Sequence, residues 1–266
     1  MKRIGIVGYG VMGEAFATAL ARAMPQVGLL VYDARRERGE AATRGWTGPA
    51  AMAVARNADE VFSGTDATLL CVKPQDMAAL ADEVRGSSKG RRIVSILAGR
   101  TIQKIGEAFA TDQVCRFMPN LAAVTGSATV GVSFHPKADA ETRELGLSIA
   151  KAAGTAVEIP EKLMSAITGV SGSGLAYVFA FAHAMALGGV ASGFDYSTAL
   201  SLAVSTLEGA ASLLRKGTHP QELISRVTSP GGTTIQGVRA LERGGFTAAV
   251  MEAVEAAARK ASDFEA

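Results

Sequence analysis

The stretch Gly5-Ile6-Val7-Gly8-Tyr9-Gly10-Val11-Met12-Gly13, GIVGYGVMG, decides the fold. The segment from Arg3 to Val7, which overlaps its start, is typical of a buried strand. An alanine-rich helical pattern follows from Glu14 to Met24. A G-x-G-x-x-G element between a strand and a helix is the context in which such glycines bind a dinucleotide. A glycine-rich turn without a ligand is the plainer alternative.

Each glycine of this element has a distinct physical role. Gly8 permits the tight turn, Gly10 lets a pyrophosphate approach the backbone, and Gly13 lets the helix pack closely on the strand. The anion would then contact free N–H groups at the helix start, including those of Val11 and Met12, where the helix dipole is positive. The pattern therefore predicts a cofactor-binding loop.

Strands and helices alternate through the first part of the chain, which predicts a parallel sheet with crossover helices. The predicted strands are Arg3–Val7, Gly28–Asp33, Asp66–Lys73, Arg92–Ala98, Val114–Met118 and Val130–Phe134. The predicted helices between and after them are Glu14–Met24, Arg35–Arg44, Met77–Val84, Ile102–Phe109 and Glu141–Ala153.

The pattern changes near Glu158, after which the chain is helical with proline and glycine breaks. We predict an α/β fold with an N-terminal Rossmann dinucleotide-binding domain, residues 1–157, and a C-terminal all-helical domain, residues 158–266. The helices predicted there are Leu163–Val170, Gly174–Ala191, Tyr196–Lys216, Pro220–Val227, Thr234–Arg243 and Phe246–Phe264.

Composition narrows the function classes for these 266 residues. Charge is balanced, with 27 Lys+Arg against 25 Asp+Glu, and aromatic residues are 6%, so nothing favours nucleic acid or an acidic membrane surface. The apolar run Leu175–Gly189 is shorter than the ~20 residues of a membrane span. Cys71 and Cys115 support neither a zinc site nor a disulfide framework, and we expect a cytoplasmic protein without a metal.

The end of the second predicted strand bears on the choice of cofactor. Asp33 is the residue type that binds a free ribose 2′-hydroxyl, as in NADH, whereas Arg35 and Arg36 favour the 2′-phosphate of NADPH. Both signals are present, and we favour NADPH over NADH. The two arginines could equally be an ordinary solvated helix start.

A second glycine turn lies in the helical part, at Thr228-Ser229-Pro230-Gly231-Gly232-Thr233-Thr234-Ile235-Gln236, TSPGGTTIQ. Glycines leave backbone N–H groups uncovered just before a predicted helix, and such a helix end attracts a carboxylate. A hydroxyl nearby could bond a reacting nitrogen or oxygen. Simple capping of the helix by Ser229, Thr233 or Thr234 is the alternative.

Other residues that could carry chemistry give weaker signals. Val72-Lys73-Pro74 follows a predicted parallel strand, where loops face the ligand crevice. His135, His183 and His219 lack metal-ligand spacing, and His183 in an apolar helix is typical of a packed core residue. No nucleophile–histidine or paired-carboxylate set stands out, which fits hydride transfer by a bound cofactor.

Several motifs together resemble the pyrroline-5-carboxylate reductase family over nearly the whole chain. They are GIVGYGVMG, VKP, RFMPN, SGSGLAYVF, the stretch HPQELISRVTSPGGTTIQGVRALERGGF, and AAVMEAVEAAARKA. The segment VTSPGGTT with its downstream LE-x-GGF is the most specific of them.

The resemblance implies a Rossmann domain followed by a helical dimerisation domain, and a homodimer or higher homo-oligomer. The implied reaction is hydride transfer from NAD(P)H to the C=N bond of a cyclic imine carboxylate, most naturally 1-pyrroline-5-carboxylate, giving L-proline. It implies the phosphate loop at Gly8 to Gly13 and a catalytic role for Thr234 at the imine nitrogen. Other implied contacts are Asn57 at the cofactor ribose, Val72, Lys73 and Pro74 at the nicotinamide, and Ser229, Gly232, Thr233 and Thr234 at the substrate carboxylate.

The chain departs from the family pattern at four places. Leu121 follows RFMPN where threonine is usual, Leu175 replaces the proline after SGSG, and His183 and Leu187 stand where most members carry an acidic pair. A reductase of another cyclic imine carboxylate therefore stays open. A hydroxyacid dehydrogenase of the same plan and a cofactor-binding protein without turnover are the remaining alternatives.

Overall fold

The computed structural model describes residues 2–265, and the side chain of Arg36 lies outside this description. The chain forms two compact units: residues up to Gly172 together with those from Ala257 onward, and Ser173–Ala256. The boundary predicted at 157/158 falls just before the last residue of the last strand, Gly154–Glu158, and stays a prediction for the domains.

The first unit is built on one eight-stranded sheet, two strands more than predicted. Its order is β3-β2-β1-β4-β5-β6-β7-β8. Neighbouring strands are parallel except β6 and β7, which are antiparallel, so the expectation of a wholly parallel sheet is wrong at this pair. The strands are β1 (Arg3–Val7), β2 (Gly28–Tyr32), β3 (Ala51–Val54), β4 (Ala67–Leu70), β5 (Ile93–Ser95), β6 (Val114–Met118), β7 (Ala128–Phe134) and β8 (Gly154–Glu158).

The helices of the first unit lie between these strands, as the alternation predicts, except the last, α7, which follows β8. They are α1 (Val11–Ala23), α2 (Arg36–Arg44), α3 (Ala58–Gly64), α4 (Met77–Glu83), α5 (Ile102–Phe109), α6 (Ala140–Ala153) and α7 (Met164–Ile167). Three 3₁₀ turns at Pro74–Asp76, Leu121–Thr125 and Glu161–Leu163 and a π-helical turn at Thr168–Gly172 complete the unit.

Two apolar clusters hold the sheet between its helices. One includes Ile4, Ile6 and Phe16, and the other includes Val7 and Phe62. Because β1 contributes to both clusters, its residues Ile4 to Val7 are all buried, which gives the uninterrupted apolar run of a central parallel strand.

An ionic cluster ties the end of the chain to this sheet. The guanidinium of Arg116, on β6, is only 1% exposed, and its Nη1 lies 2.9 Å from Glu161 Oε1. Its Nη2 lies 2.5 Å from Glu265 Oε1. The main-chain oxygen of Glu265 also accepts a hydrogen bond from Lys104 Nζ. A buried arginine needs such partners, because an unpaired charge in the interior is costly.

The second unit is helical, with α8 (Gly174–Ala191), α9 (Tyr196–Leu214), α10 (Pro220–Val227), α11 (Thr233–Arg243) and the start of α12 (Phe246–Asp263). Small side chains such as Ala186 and Ala199 are buried in this unit, and a Cβ at Gly189 would lie 2.8 Å from that of Ala199. Much larger apolar side chains remain exposed, among them Phe179, Leu187, Leu202 and Leu213.

Two helical stretches are long and apolar enough to cross a membrane by length and composition, Glu161–Ala191 and Tyr196–Leu214. The run Leu175–Gly189 therefore underestimates how far the apolar composition extends. In the most apolar segment of each stretch, only 17% (first stretch) and 11% (second stretch) is buried within the chain. Such an exposed apolar surface requires a cover, which a membrane or a second protein surface can supply.

Candidate active site

The predicted phosphate loop has a geometry that requires glycine at two of its positions. Gly8 follows β1 with a φ of +96°, and a Cβ there would lie 2.7 Å from the carbonyl carbon of Cys71. A Cβ at Gly13 would lie 2.1 Å from the carbonyl oxygen of Gly8. The helix α1 can approach β1 this closely only without these methyl groups.

Gly10 lies beside open space of the kind a pyrophosphate needs. It caps α1 without a side-chain hydrogen bond, and the nearest atom to a Cβ built on it is Arg38 Nη1 at 3.9 Å. The N–H groups of Val11, Met12 and Gly13 begin the helix and have no intrahelical acceptor. Val11 is 63% exposed, and Met12 is half-buried. This loop fits a dinucleotide phosphate, as predicted.

The loop Val72-Lys73-Pro74 lies next to the glycine turn. Strands β1 and β4 are neighbours at the point where the chain order of the sheet reverses, which is where open α/β sheets bind ligands. A Cβ on Gly8 would lie 2.8 Å from Val72 N, so the two loops touch. Lys73 is exposed, and Arg100 donates two hydrogen bonds to the Pro74 oxygen, at 3.2 and 3.0 Å. No local sequence signal pointed to Arg100.

The surroundings of Asp33 differ from those expected of a carboxylate that binds a ribose 2′-hydroxyl. Its carboxylate accepts hydrogen bonds from Tyr9 N at 2.8 Å and Arg35 N at 2.9 Å, and its side chain is 10% exposed. The Arg35 side chain is exposed, with Nε 3.9 Å from Asp33 Oδ1. Arg36 is also predicted to bind the cofactor, and its side chain lies outside the described part of the structure.

Asn57 caps helix α3, where its Oδ1 accepts from Glu60 N at 2.8 Å. The residue is exposed, and its Nδ2 donates no hydrogen bond to the part of the chain that the structure describes. The predicted ribose contact could therefore use this amide N–H group.

Two clefts include residues predicted to bind the cofactor. One, of about 680 Å³, is lined by Gly10, Val11, Glu14, Arg38 and Trp46 among others. The other, of about 550 Å³, is lined by Tyr32, Asp33, Ala34, Glu40, Val54, Ala55 and Arg56. Arg38 was not among the predicted cofactor residues, because nothing in the sequence says which arginine of α2 turns toward the glycines.

The second predicted site, in the helical unit, is the start of α11. Gly231 has a φ of +69°, and Gly232 N donates to Ser229 O at 3.1 Å. Gly232 caps the helix with no side-chain hydrogen bond, so the capping interpretation of Ser229, Thr233 and Thr234 is wrong. A Cβ on Gly232 would lie 2.2 Å from Ser229 Oγ, so this hydroxyl lies over the glycine.

The polar groups at this helix end are available to a ligand. Thr233 is exposed and Thr234 is half-buried, and their N–H groups begin the helix without intrahelical acceptors. Among the described residues, the hydroxyls of Ser229, Thr233 and Thr234 form no hydrogen bond. The helix end thus combines free donors with the positive end of a dipole, which suits a carboxylate.

His183 is exposed in the helical unit, so its assignment to the core is wrong. Its Nδ1 lies 2.9 Å from the hydroxyl of Tyr196. Within residues 2–265, no group of three or more histidine, cysteine or acidic side chains could hold a metal ion.

Burial also affects a phenol and the two thiols of the first unit, groups that titrate above neutral pH. It raises the pKa of Tyr9 to about 12, with a smaller contribution from Glu14. It likewise raises the pKa of the Cys71 and Cys115 thiols, and both cysteines are free. None of these groups is therefore an anion near neutral pH.

Comparison with known proteins supports both halves of this description. Residues 161–264 match the family described as pyrroline-5-carboxylate reductase dimerisation, and residues 3–99 match NADP oxidoreductase coenzyme F420-dependent. The pyrroline-5-carboxylate reductase of Aquifex aeolicus is 37% identical over 263 residues, which are 97% of this chain and 96% of that protein. The chain belongs to the pyrroline-5-carboxylate reductase family.

Solved structures of pyrroline-5-carboxylate reductases have the same fold. The Plasmodium falciparum enzyme, crystallised with NADP bound, gives a TM-score of 0.86 at 25% identity and covers 100% of this chain and 98% of that chain. The Streptococcus pyogenes enzyme gives 0.86 at 27% identity, covering 98% of each chain. The predicted family, two-part fold and nicotinamide dinucleotide cofactor are confirmed. The chain is an oxidoreductase whose helical part is a dimerisation domain, so it forms homo-oligomers.

Proposed function

We propose that this member of the pyrroline-5-carboxylate reductase family reduces 1-pyrroline-5-carboxylate to L-proline, with NADPH as the preferred hydride donor. The observation that carries the proposal is the start of α11, where glycines and three unpaired hydroxyls surround free N–H groups. A small anionic ring needs such a site for its carboxylate. The reaction is inferred from the family, since 97% of the chain aligns with a pyrroline-5-carboxylate reductase.

The substrate carboxylate binds the N-terminus of α11 in this proposal. The N–H groups of Thr233 and Thr234 donate to it, and Ser229 and Thr233 hydroxyls complete the contact. Gly232 keeps this approach open, because any side chain there would meet Ser229 Oγ. A helix end is a fixed dipole that needs no reorganisation when the anion arrives.

Thr234 is the proposed catalytic residue, with its hydroxyl hydrogen-bonded to the imine nitrogen. The protonated, cationic imine is the better hydride acceptor. When hydride adds to the carbon, the C=N π electrons move to nitrogen and give a neutral secondary amine. Thr234 Oγ1 holds the nitrogen in place while this charge changes, which fixes the face of the ring that is attacked.

The first unit holds the cofactor in this proposal. Bound NADPH supplies the hydride. Gly8 to Gly13 receive the pyrophosphate, Asn57 contacts the ribose, and the loop of Val72, Lys73 and Pro74 borders the nicotinamide. Arg100 keeps the Pro74 carbonyl in position and so fixes this loop.

Assembly and location follow from the helical unit. We propose a homodimer in which a second copy covers exposed apolar side chains such as Phe179 and Leu202. With that surface covered, the protein needs no membrane, and we place it as a soluble enzyme of the cytoplasm without a nucleic-acid partner. The hydroxyacid dehydrogenase alternative is not favoured, since the relatives are named for imine reduction.

Initial rates of NADPH oxidation test this function. The purified protein is assayed with pyrroline-5-carboxylate, with the six-membered cyclic imine carboxylate and with 3-hydroxyacids, and proline is identified by chromatography. We expect the highest kcat/KM with pyrroline-5-carboxylate. A higher kcat/KM with the six-membered ring would contradict the assignment. It would indicate that the departures from the family pattern change the substrate, namely those at Leu121, Leu175, His183 and Leu187. Binding of NADPH without turnover of any imine would contradict the enzyme itself.

A further inference from the structure

The position of Asp33 separates it from the role that such a residue has in NAD-binding folds. Each of its carboxylate oxygens accepts a main-chain N–H, one from Tyr9 within the glycine turn and one from Arg35. With its side chain 10% exposed, it has little surface left for a ribose. A ribose diol is bound by a carboxylate that has free acceptor positions, and two of the roughly four positions of Asp33 are taken by main-chain N–H groups.

Arg38 has the opposite character. Its guanidinium forms no hydrogen bond or ion pair with the residues that the structure describes, and Nη1 lies 3.9 Å from a Cβ built on Gly10. It lines the 680 Å³ cleft together with Gly10 and Val11. An unpaired guanidinium beside the phosphate loop is suited to a phosphate dianion, which it can bind through two N–H groups at once.

We propose that Arg38 binds the 2′-phosphate of NADPH, assisted by Arg35, while Asp33 braces the glycine turn and takes no part in choosing the cofactor. The inference rests on the proposed function, because it names the residue that makes that function NADPH-dependent. Arg38 lies in the first turn of α2, so the phosphate is bound by the helix rather than by the strand end alone.

Neighbouring charges agree with this assignment. Arg35 is exposed on the same side of the strand end as Asp33, and its Nε is at 3.9 Å from that carboxylate, too far for a hydrogen bond. Glu14 lines the same cleft as Arg38 but does not form an ion pair with it. A phosphate would therefore not have to displace a partner of Arg38.

Direct binding tests the inference without reference to turnover. NADPH and NADH are titrated into the purified enzyme, and the change in nicotinamide fluorescence gives each Kd. For Arg38→Gln we expect NADPH binding to weaken about tenfold or more, the effect of losing a hydrogen bond to a charged group, with NADH binding within twofold of the unsubstituted protein. Arg44→Gln, the same substitution at the exposed last turn of α2, is the matched control and should leave both Kd values unchanged.

Other results would overturn it. Equal weakening for both cofactors would assign Arg38 to the pyrophosphate, and unchanged binding would remove it from the site. If the unsubstituted protein binds neither cofactor, the proposed function fails first.

Asp33→Asn examines the brace separately. Asparagine keeps one acceptor oxygen and loses the other, so we expect both cofactors to bind more weakly by a similar factor and the melting temperature to fall. A selective loss of NADH binding would show instead that Asp33 contacts the ribose, and would contradict its role as a brace.

Discussion

The two glycine turns of this chain lead into helices in the same way, yet they differ in what surrounds them. The turn at Gly8 to Gly13 is packed against Cys71 and Val72 and braced by Asp33. In the turn at Ser229 to Thr234, a Cβ on Gly231 would have no atom within 4 Å. The first turn is packed against residues of its own unit, whereas the second has free space around Gly231.

This difference indicates a division of work. The cofactor turn is packed and hydrogen-bonded without a ligand, so its donors are already aimed at the place of the phosphate. The open turn lies in a unit whose apolar side chains are still exposed, and family membership assigns that unit to dimerisation.

The largest effect is expected at the packed turn. In Gly13→Ala the new methyl group would lie 2.1 Å from the Gly8 oxygen, so the turn must shift, and we expect a loss of about 3 kcal/mol in stability together with loss of NADPH binding. Gly10→Ala is the matched control, since its methyl group has room in the protein alone. It should melt normally and still fail to bind NADPH. Thermal melts and fluorescence titrations measure both, and normal cofactor binding by either variant would contradict the proposed loop.

The exposed helical surface offers the next test. Phe179 is 60% exposed, and in Phe179→Asp a charge is placed on the surface that we propose a second copy covers. We expect sedimentation velocity to show monomers at micromolar concentration. Val157→Asp, at an exposed apolar position on β8, is the control and should keep the assembly. A stable dimer of the Phe179 variant would move the interface elsewhere.

A moderate effect is expected where the end of the chain joins the sheet. Arg116→Met removes the partner of Glu161 and Glu265, and both carboxylates are only partly exposed. We expect about 2–3 kcal/mol of destabilisation in urea unfolding, below the range for fully buried pairs. Lys137→Met, at an exposed surface pair, should cost under about 1 kcal/mol. Equal losses for the two variants would argue against an anchoring role.

The smallest effect is expected at the open turn. In Gly231→Ala the methyl group meets no neighbour, so only the left-handed backbone at φ +69° opposes it, at a cost of about 1–2 kcal/mol. We expect KM for the imine to rise several-fold with NADPH binding unchanged. If steady-state kinetics and melts are both unaffected, this turn is more adaptable than we propose.

Much of the fold could be predicted from the sequence because its signals are local. Central strands such as β1 are apolar throughout, and glycines mark the helix starts. The missed strands lie at sheet edges: β3, Ala51–Val54, and β8, Gly154–Glu158, are half-exposed and include alanine, which is depleted in strands. The antiparallel pairing of β7 depends on tertiary packing, which periodicity does not report.

The candidate sites divide in the same way. The glycine turns could be predicted because only glycine tolerates their backbone geometry and close approach. The brace formed by Asp33, the free guanidinium of Arg38 and the hydrogen bonds of Arg100 could not, since each depends on where a side chain points in three dimensions. His183 was misplaced because an apolar helix was taken to be a buried one, whereas its cover is a second copy in our account.

The most direct test of the central claim, that the start of α11 binds and orients the imine, is the steady-state kinetics of Thr234→Ala beside Thr234→Ser. Thr247→Ala is the control, because that hydroxyl is bonded to Glu242. We predict that Thr234→Ala lowers kcat by about tenfold to a hundredfold with the NADPH Kd unchanged, that serine restores most of the rate, and that the control is normal. Normal turnover by Thr234→Ala, or an equal loss in the serine variant, would contradict the claim.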